Sequence, residues 1–126
     1  MLDHIGFDVT NFAKSKKFYL QALKPLGIDI IMDVTAEQSG TTDYCGMGKE
    51  GKPFFWFGEG KHGGKSLHVA FTADSHEMVD AFYTAAITAG GTDNGAPGPR
   101  PHYHPNYYGA FVLDLDGNNI EAVFHG

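Results

Sequence analysis

Along the first nine residues apolar and polar positions alternate, with Ile5, Phe7 and Val9 on one parity and His4, Gly6 and Asp8 on the other. That period of two predicts a strand over about Leu2 to Val9 with one buried face. From Asn11 the period changes. Phe12, Ser15, Phe18, Tyr19, Ala22, Leu23 and Leu26 form a helical stripe, Thr10 or Asn11 can cap its start, and Pro25 and Gly27 stop it, so a helix is expected to Lys24. Three more strands are predicted, roughly Asp29 to Val34, Thr42 to Met47 and Phe54 to Phe57, the last two joined by the turn-rich stretch Gly48 to Lys52. The first unit therefore reads βαβββ.

The second half repeats the plan. His4, Phe7, Phe18, Tyr19, Ala22 and Gly27 recur as His68, Phe71, Phe82, Tyr83, Ala86 and Gly91 at a constant offset of 64 residues. A fixed period of this kind marks duplicated supersecondary units. A strand from Leu67 to Thr72 leads into a helix from about Ser75 to Ala89, with Asp74 and Glu77 at capping-box spacing and Gly90-Gly91 at its end. Thr92 to Asn106, rich in Gly, Pro and His, reads as a long loop with at most one short strand. Two strands, Tyr107 to Leu113 and Asn119 to Phe124, close the unit around the turn Asp116-Gly117. The whole predicts an α+β domain over residues 1–126, with modules 1–60 and 67–126 forming one curved, eight-stranded mixed sheet.

The modules are joined by GEGKHGGKS, Gly58 to Ser66, a near miss for a phosphate-binding loop. Glu59 stands where the first glycine belongs, and a strand follows instead of a helix, so no helix N-terminus would face a phosphate. The formal charge of −6, with only nine Lys and Arg, argues against nucleic acid or an anionic membrane and favours a small molecule as partner. No apolar run has the length of a membrane span. The chain opens directly into MLDHIGFDV without a leader, so the cytoplasm is the expected compartment. The single cysteine, Cys45, reads as a core residue.

Strand parity singles out three residues. His4 and His68 lie on the non-core parity of the repeat-related strands, and Glu121 lies opposite the apolar row Ile120, Ala122 and Phe124. If these faces line one concavity, two imidazoles and a carboxylate can converge on a divalent ion such as Zn, Ni, Mn or Fe(II), with positions left for water or substrate. In PRPHYHPNYY, His102, His104 and Tyr107 are candidates to relay a proton. Phe55, Trp56, Phe57 and Tyr108 are candidates for an apolar pocket wall. His62, His76 and His125 are expected to be exposed.

DHIGFDV, SKKFY, LHVAF, VDAFY and above all DLDGNNIEAV resemble the vicinal oxygen chelate superfamily, the glyoxalase/bleomycin-resistance/dioxygenase fold, whose closing signature is DPDG-x-x-IE. The resemblance spans essentially the whole chain. It implies that His4, His68 and Glu121 are metal ligands of a glyoxalase-like lyase or isomerase whose substrate chelates the ion through neighbouring oxygens. Extradiol ring cleavage or non-catalytic binding of a drug or metabolite are the alternatives. It also implies a homodimer, with a site closed within one chain or between two. Departures stand beside it. A fourth ligand of glyoxalase I would fall at Phe57 or Phe55 by offsets of 64 or 66 from Glu121, the tyrosine of the dioxygenase motif is Phe111, and Leu115 replaces proline. Arg100 is the only arginine, so no basic cluster for glutathione carboxylates is expected.

Overall fold

A computed structural model describes residues 2–60 and 67–126. The Gly-rich linker reading and His62 fall largely on 61–66, outside the described residues. The chain runs β1 (Ile5–Val9), α1 (Phe12–Leu23), a 3₁₀ turn (Lys24–Leu26), β2 (Asp29–Val34), α2 (Ala36–Ser39), β3 (Tyr44–Lys49) and β4 (Lys52–Glu59). The second half follows with β5 (His68–Thr72), α3 (His76–Thr88), β6 (Thr92–Pro99), β7 (Tyr108–Leu113) and β8 (Asn119–Phe124). The eight strands of the described residues fall into two four-stranded mixed sheets, ordered β1-β4-β3-β2 and β5-β8-β7-β6, so the repeat extends to strand order.

Local chemistry accounts for most element ends. Asn11 caps α1 by accepting from the Lys14 amide. Ser75, not Asp74, caps α3, accepting from Met78 N, because Ser75 is the residue that adopts the extended backbone of a cap (φ −162°). The short α2 was not expected; a capping box between Thr35 and Gln38 makes it. Residues 92–99 are a full strand instead of a loop, paired with β7 through two register shifts. Gly95, at φ +152° beside one shift, has a backbone that few side chains tolerate.

One core joins the halves. Tyr19 packs against Phe7, Phe18, Phe55 and Phe57, and Phe55 meets Phe71 of the second module edge to face at 5.2 Å. Helices α1 and α3 pack on one another. Cys45 is buried in this core, and burial above all, then Asp33, pushes its thiol up to about 11, which makes it an inert packing residue. No described helix is long and apolar enough to cross a membrane.

The turn Asp114-Leu115-Asp116-Gly117 fastens the second module to the first. The buried Asp114 carboxylate accepts from the amides of Asp116 (2.9 Å) and Asn118 (2.8 Å), from Asn118 Nδ2 (3.0 Å), and from the hydroxyl of Tyr19 on α1. Asp116 takes Thr10 Oγ1 at 2.5 Å, at the β1–α1 junction. Burial first, then Asp114, raises the Tyr19 phenol well above its ordinary range, so it remains a donor. Tyr19→Phe removes that donor from a buried carboxylate. It is expected to lower the unfolding free energy by about 1.5 to 3 kcal/mol in urea titration, against under about 1 kcal/mol for the exposed Thr10→Ala.

Candidate functional site

β8 lies between β5 and β7, with Glu121 directly opposite Ala70 on one side and Phe111 on the other. Its neighbours Ile120 and Ala122 point into the core, so Glu121 projects from the open face of the sheet, where a carboxylate would ordinarily be solvated. It is nonetheless only 1% exposed. Both oxygens are taken by protein donors: Oε1 accepts from His68 Nε2 at 2.9 Å, and Oε2 accepts from the hydroxyl of Tyr107. Since a carboxylate only accepts, His68 carries its proton on Nε2 in this arrangement. Its side chain is about half exposed (53%), diagonal to Glu121 across the parallel pair.

Tyr107 reaches Glu121 because residues 100–107 fold back on themselves. The Arg100 amide donates to Tyr107 O at 2.8 Å, Tyr103 N to Arg100 O at 2.9 Å, and Tyr107 N to His104 O at 3.2 Å. Gly109 clears the way, since a Cβ there would sit 3.1 Å from the Tyr107 ring and 3.3 Å from Glu121 Oε2. Burial first, and then the bond to Glu121, push the Tyr107 phenol well above its ordinary range, with Arg100 opposing the rise. Such a phenol donates hydrogen bonds and does not act as a base near neutral pH. Behind it, His104 Nδ1 accepts from Asn106 N at 3.2 Å, so its proton is on Nε2, which meets His125 Nδ1 at 2.5 Å. His102 is exposed and packs on Tyr103, one ring further out. Of the three relay candidates the structure thus brings Tyr107 to Glu121, sets His104 behind it and leaves His102 away from it. His76 and His125 are exposed as expected, yet both have partners, His76 stacking on Tyr108 at 3.9 Å.

The first module offers a different open face. His4 precedes β1; its Nδ1 lies 2.7 Å from Asp3 Oδ2, and Lys52 Nζ holds the other Asp3 oxygen at 2.9 Å. With Nδ1–H donating to Asp3, Nε2 keeps its lone pair. The register pairs Gly6 with Trp56 as it pairs Ala70 with Glu121, so the counterpart of Glu121 is Trp56, at an offset of 65. The sequence offsets named Phe57 and Phe55 instead; both point into the core at 1% exposure, on the other face of β4. A one-residue difference in strand spacing between the modules causes the discrepancy and reverses the face. Trp56 lies flat over Gly46, where a Cβ would come within 2.7 Å of its ring, and Tyr44 likewise lies over Gly58 at 2.6 Å. Tyr44 escaped the sequence reading; the alternation Tyr44, Gly46, Gly48 opposite an aromatic strand is the signal that could have found it. Tyr108 leaves the proposed wall, because it faces α3 and donates to Asp80 Oδ1 at 2.6 Å.

His68 and Glu121 therefore meet, and His4 does not join them within one chain: among the described residues no three His, Cys, Asp or Glu side chains group closely enough to hold an ion. His4 instead lines an open cavity of about 380 Å³ with Ile5, Phe54 and Val69. The donor set nevertheless suits a divalent cation. It comprises a buried carboxylate oriented by a phenol, one imidazole against that carboxylate, and a second whose far nitrogen a carboxylate has freed.

The sequence profile of the Glyoxalase/Bleomycin resistance protein/Dioxygenase superfamily matches residues 1–122. A glyoxalase/bleomycin resistance protein from Albidiferax ferrireducens superposes with a TM-score of 0.77 at 30% identity, covering 98% of both chains. A glyoxalase/bleomycin resistance protein/dioxygenase family enzyme from Burkholderia phytofirmans gives 0.72 at 21% identity, again over 98% of each. A fosfomycin resistance protein from Listeria monocytogenes, solved with Mn(II) and dihydroxypropylphosphonic acid, gives 0.70 at 18% identity over 97% of this chain and 90% of its own. No curated protein matches.

Because the folded-state pKa of Tyr107 is raised, its stabilising contribution is complete below the ordinary tyrosine value near 10 and is lost progressively as pH rises above it. The stability difference between wild type and Tyr107→Phe, read from urea unfolding at pH 8 and pH 11, is expected to be larger at pH 8. An equal difference at both pH values contradicts the assignment.

Proposed function

Since the chain belongs to the glyoxalase/bleomycin resistance protein/dioxygenase superfamily, we propose that it is a metal-dependent lyase or isomerase of the glyoxalase I kind. Its substrate is a small molecule bearing neighbouring oxygens. The observation that carries the reading is Glu121, a buried carboxylate on an open sheet face, bracketed by His68 and Tyr107. Withdrawing a carboxylate this far from water carries a desolvation cost, met here by hydrogen bonds from His68 and Tyr107 that also fix its orientation.

In this reading His68 and Glu121 of one chain and His4 of a second copy hold the ion. The separation of His4 from the other two favours the shared arrangement over closure within one chain. When bound, a divalent ion supplies a Lewis acid that stabilises oxyanionic charge on neighbouring substrate oxygens. The protein does the rest. Asp3 fixes the ring of His4 and leaves Nε2 outward. Tyr107 orients Glu121 through Oε2 and holds a proton at Oη that a substrate oxygen can share. Trp56 and Tyr44 give the opposing face a flat aromatic surface against which an apolar substrate body can lie and exclude water. Where glyoxalase I has a fourth ligand Trp56 stands, leaving three protein ligands and more room for substrate.

Co-expression of His4→Ala and Glu121→Ala chains tests the arrangement. Purified mixed dimers are expected to hold about one divalent ion per two chains by elemental analysis, since one site remains whole, while each variant alone holds none. Mixed dimers without ion, beside a loaded wild type, place the ligands within a single chain. Wild type without a stoichiometric ion, even after incubation with Ni, Zn, Mn and Fe(II), turns the reading to a binding protein that uses the aromatic face alone.

A further inference from the structure

The one arginine of the chain is built into the same open face without a charged partner among the described residues. Backbone pairing sets Arg100 across from Tyr107, two residues beyond the paired glycines Gly98 and Gly109, so the two side chains leave the ribbon on the side that carries Phe111 and Glu121. The guanidinium lies over the Phe111 ring at 5.4 Å. Phe111 is also the direct cross-strand neighbour of Glu121 and lies 6.3 Å from the His68 ring. One aromatic ring thus separates the cation from the carboxylate and imidazole.

The guanidinium is fixed by neutral groups. Nη1 donates to Gly98 O at 2.8 Å and more weakly to Pro99 O at 3.4 Å, and Nη2 donates to Ala96 O at 2.8 Å. Glycines at 95 and 98 make room, since a Cβ at either would come within 3.2 or 3.3 Å of the guanidinium nitrogens. Three of its five N–H groups are engaged, which leaves Nε–H and one Nη2–H. Arg100 forms no ion pair among the described residues, in a chain of net charge −6. A surface arginine usually trades flexible contacts with carboxylates. This one is held by carbonyls and an aromatic face, which fix its position and leave its charge uncancelled. That is the arrangement of a preorganised receptor for a planar or tetrahedral anion.

We propose that Arg100 determines specificity at this site by binding a carboxylate, phosphate or phosphonate group of the substrate, set beside the atoms handled at Glu121 and Tyr107. The substrate is then an anionic small molecule, not a neutral one. This deepens the proposed function and rests on it for the word substrate, but the anion contact itself needs no metal.

A chain with a single arginine gives a single Arg Nε–H resonance, so the test is direct. ¹⁵N-labelled, chelator-treated full-length protein is titrated with inorganic phosphate, with acetate, and with glycerol as a neutral control. A saturable shift of the Arg100 Nε–H with phosphate or acetate and none with glycerol is expected, the tighter anion naming the preferred group. In the variants the backbone amides of Gly98 and Tyr107 report. Arg100→Lys is expected to weaken the anion by about 3- to 10-fold, through loss of the fork, and Arg100→Met by more than about 10-fold, with thermal melts recorded to establish that both fold. An unmoved Nε–H, or amide shifts that persist unchanged in Arg100→Met, overturns the proposal. Metal loading of the His4 and Glu121 variants is measured separately, so failure of either reading is told from failure of the other.

Discussion

The arrangement depends on a buried carboxylate that makes no ion pair among the described residues. Asp114 sits at the end of β7, collects three donors from its own turn, and takes a fourth, the Tyr19 hydroxyl, from the first module. Its partner in the turn, Asp116, reaches Thr10. Asp114 and Asp116, the second of which the sequence reading places in the turn, therefore act as the bolt between duplicated halves. The consequence for function is positional. The turn feeds β8, and β8 carries Glu121 seven residues after Asp114. A buried, fully hydrogen-bonded carboxylate at the base of the strand fixes its register, and a one-residue slip would turn Glu121 into the core. This gives a physical reason for the acidic half of the closing signature, beside the Glu that ends it.

Duplication supplied the frame and divergence supplied the chemistry. The parallel pairs β1–β4 and β5–β8 are equivalent, and at the equivalent point one carries Trp56 and the other Glu121. Around Trp56 the first module has become aromatic and glycine-rich, with rings laid over Gly46 and Gly58. Around Glu121 the second has become polar, with Tyr107, Arg100 and His68. The face with the buried carboxylate has its imidazole against it, while the imidazole of the aromatic face is held by the exposed Asp3.

Much of this was legible in the sequence because strand and helix periods are set by burial, and burial here is strong. Hydrophobic alternation gave β1, β5 and β8 their faces, and β2 and β8 were bounded to the residue. What the sequence hid had definite causes. β6 is dominated by Gly, Asp, Asn and Pro, residues that disfavour strands; its pairing with β7, across two register shifts, overrides propensity. The equivalence of Trp56 and Glu121 was missed because the modules differ by one residue in spacing, and a period of two turns one residue into the opposite face. Loop histidines could not be ranked, since only the fold-back from Arg100 to Tyr107 decides which ring reaches the sheet. The sequence left open whether His4 joins the other two within one chain or between two, and among the described residues of one chain it does not join them.

The separation of His4 from His68 and Glu121 bears on how two copies could meet. Each chain carries one face with an imidazole and aromatic surface and another with an imidazole, a carboxylate and a phenol. Setting two like faces together about a twofold axis gives either a pair of imidazoles without the buried carboxylate or two buried carboxylates brought close, the second of which is electrostatically unfavourable. Setting unlike faces together gives two equivalent sites, each with both imidazoles, one carboxylate, an aromatic wall and the Arg100 cation. A twofold axis delivers both contacts at once, because the contact of the first module with the partner's second implies the reverse contact. In the proposed dimer the divergence of the two halves would be a division of labour across the interface, with the aromatic surface against the substrate body and the polar surface at its oxygens and its charge.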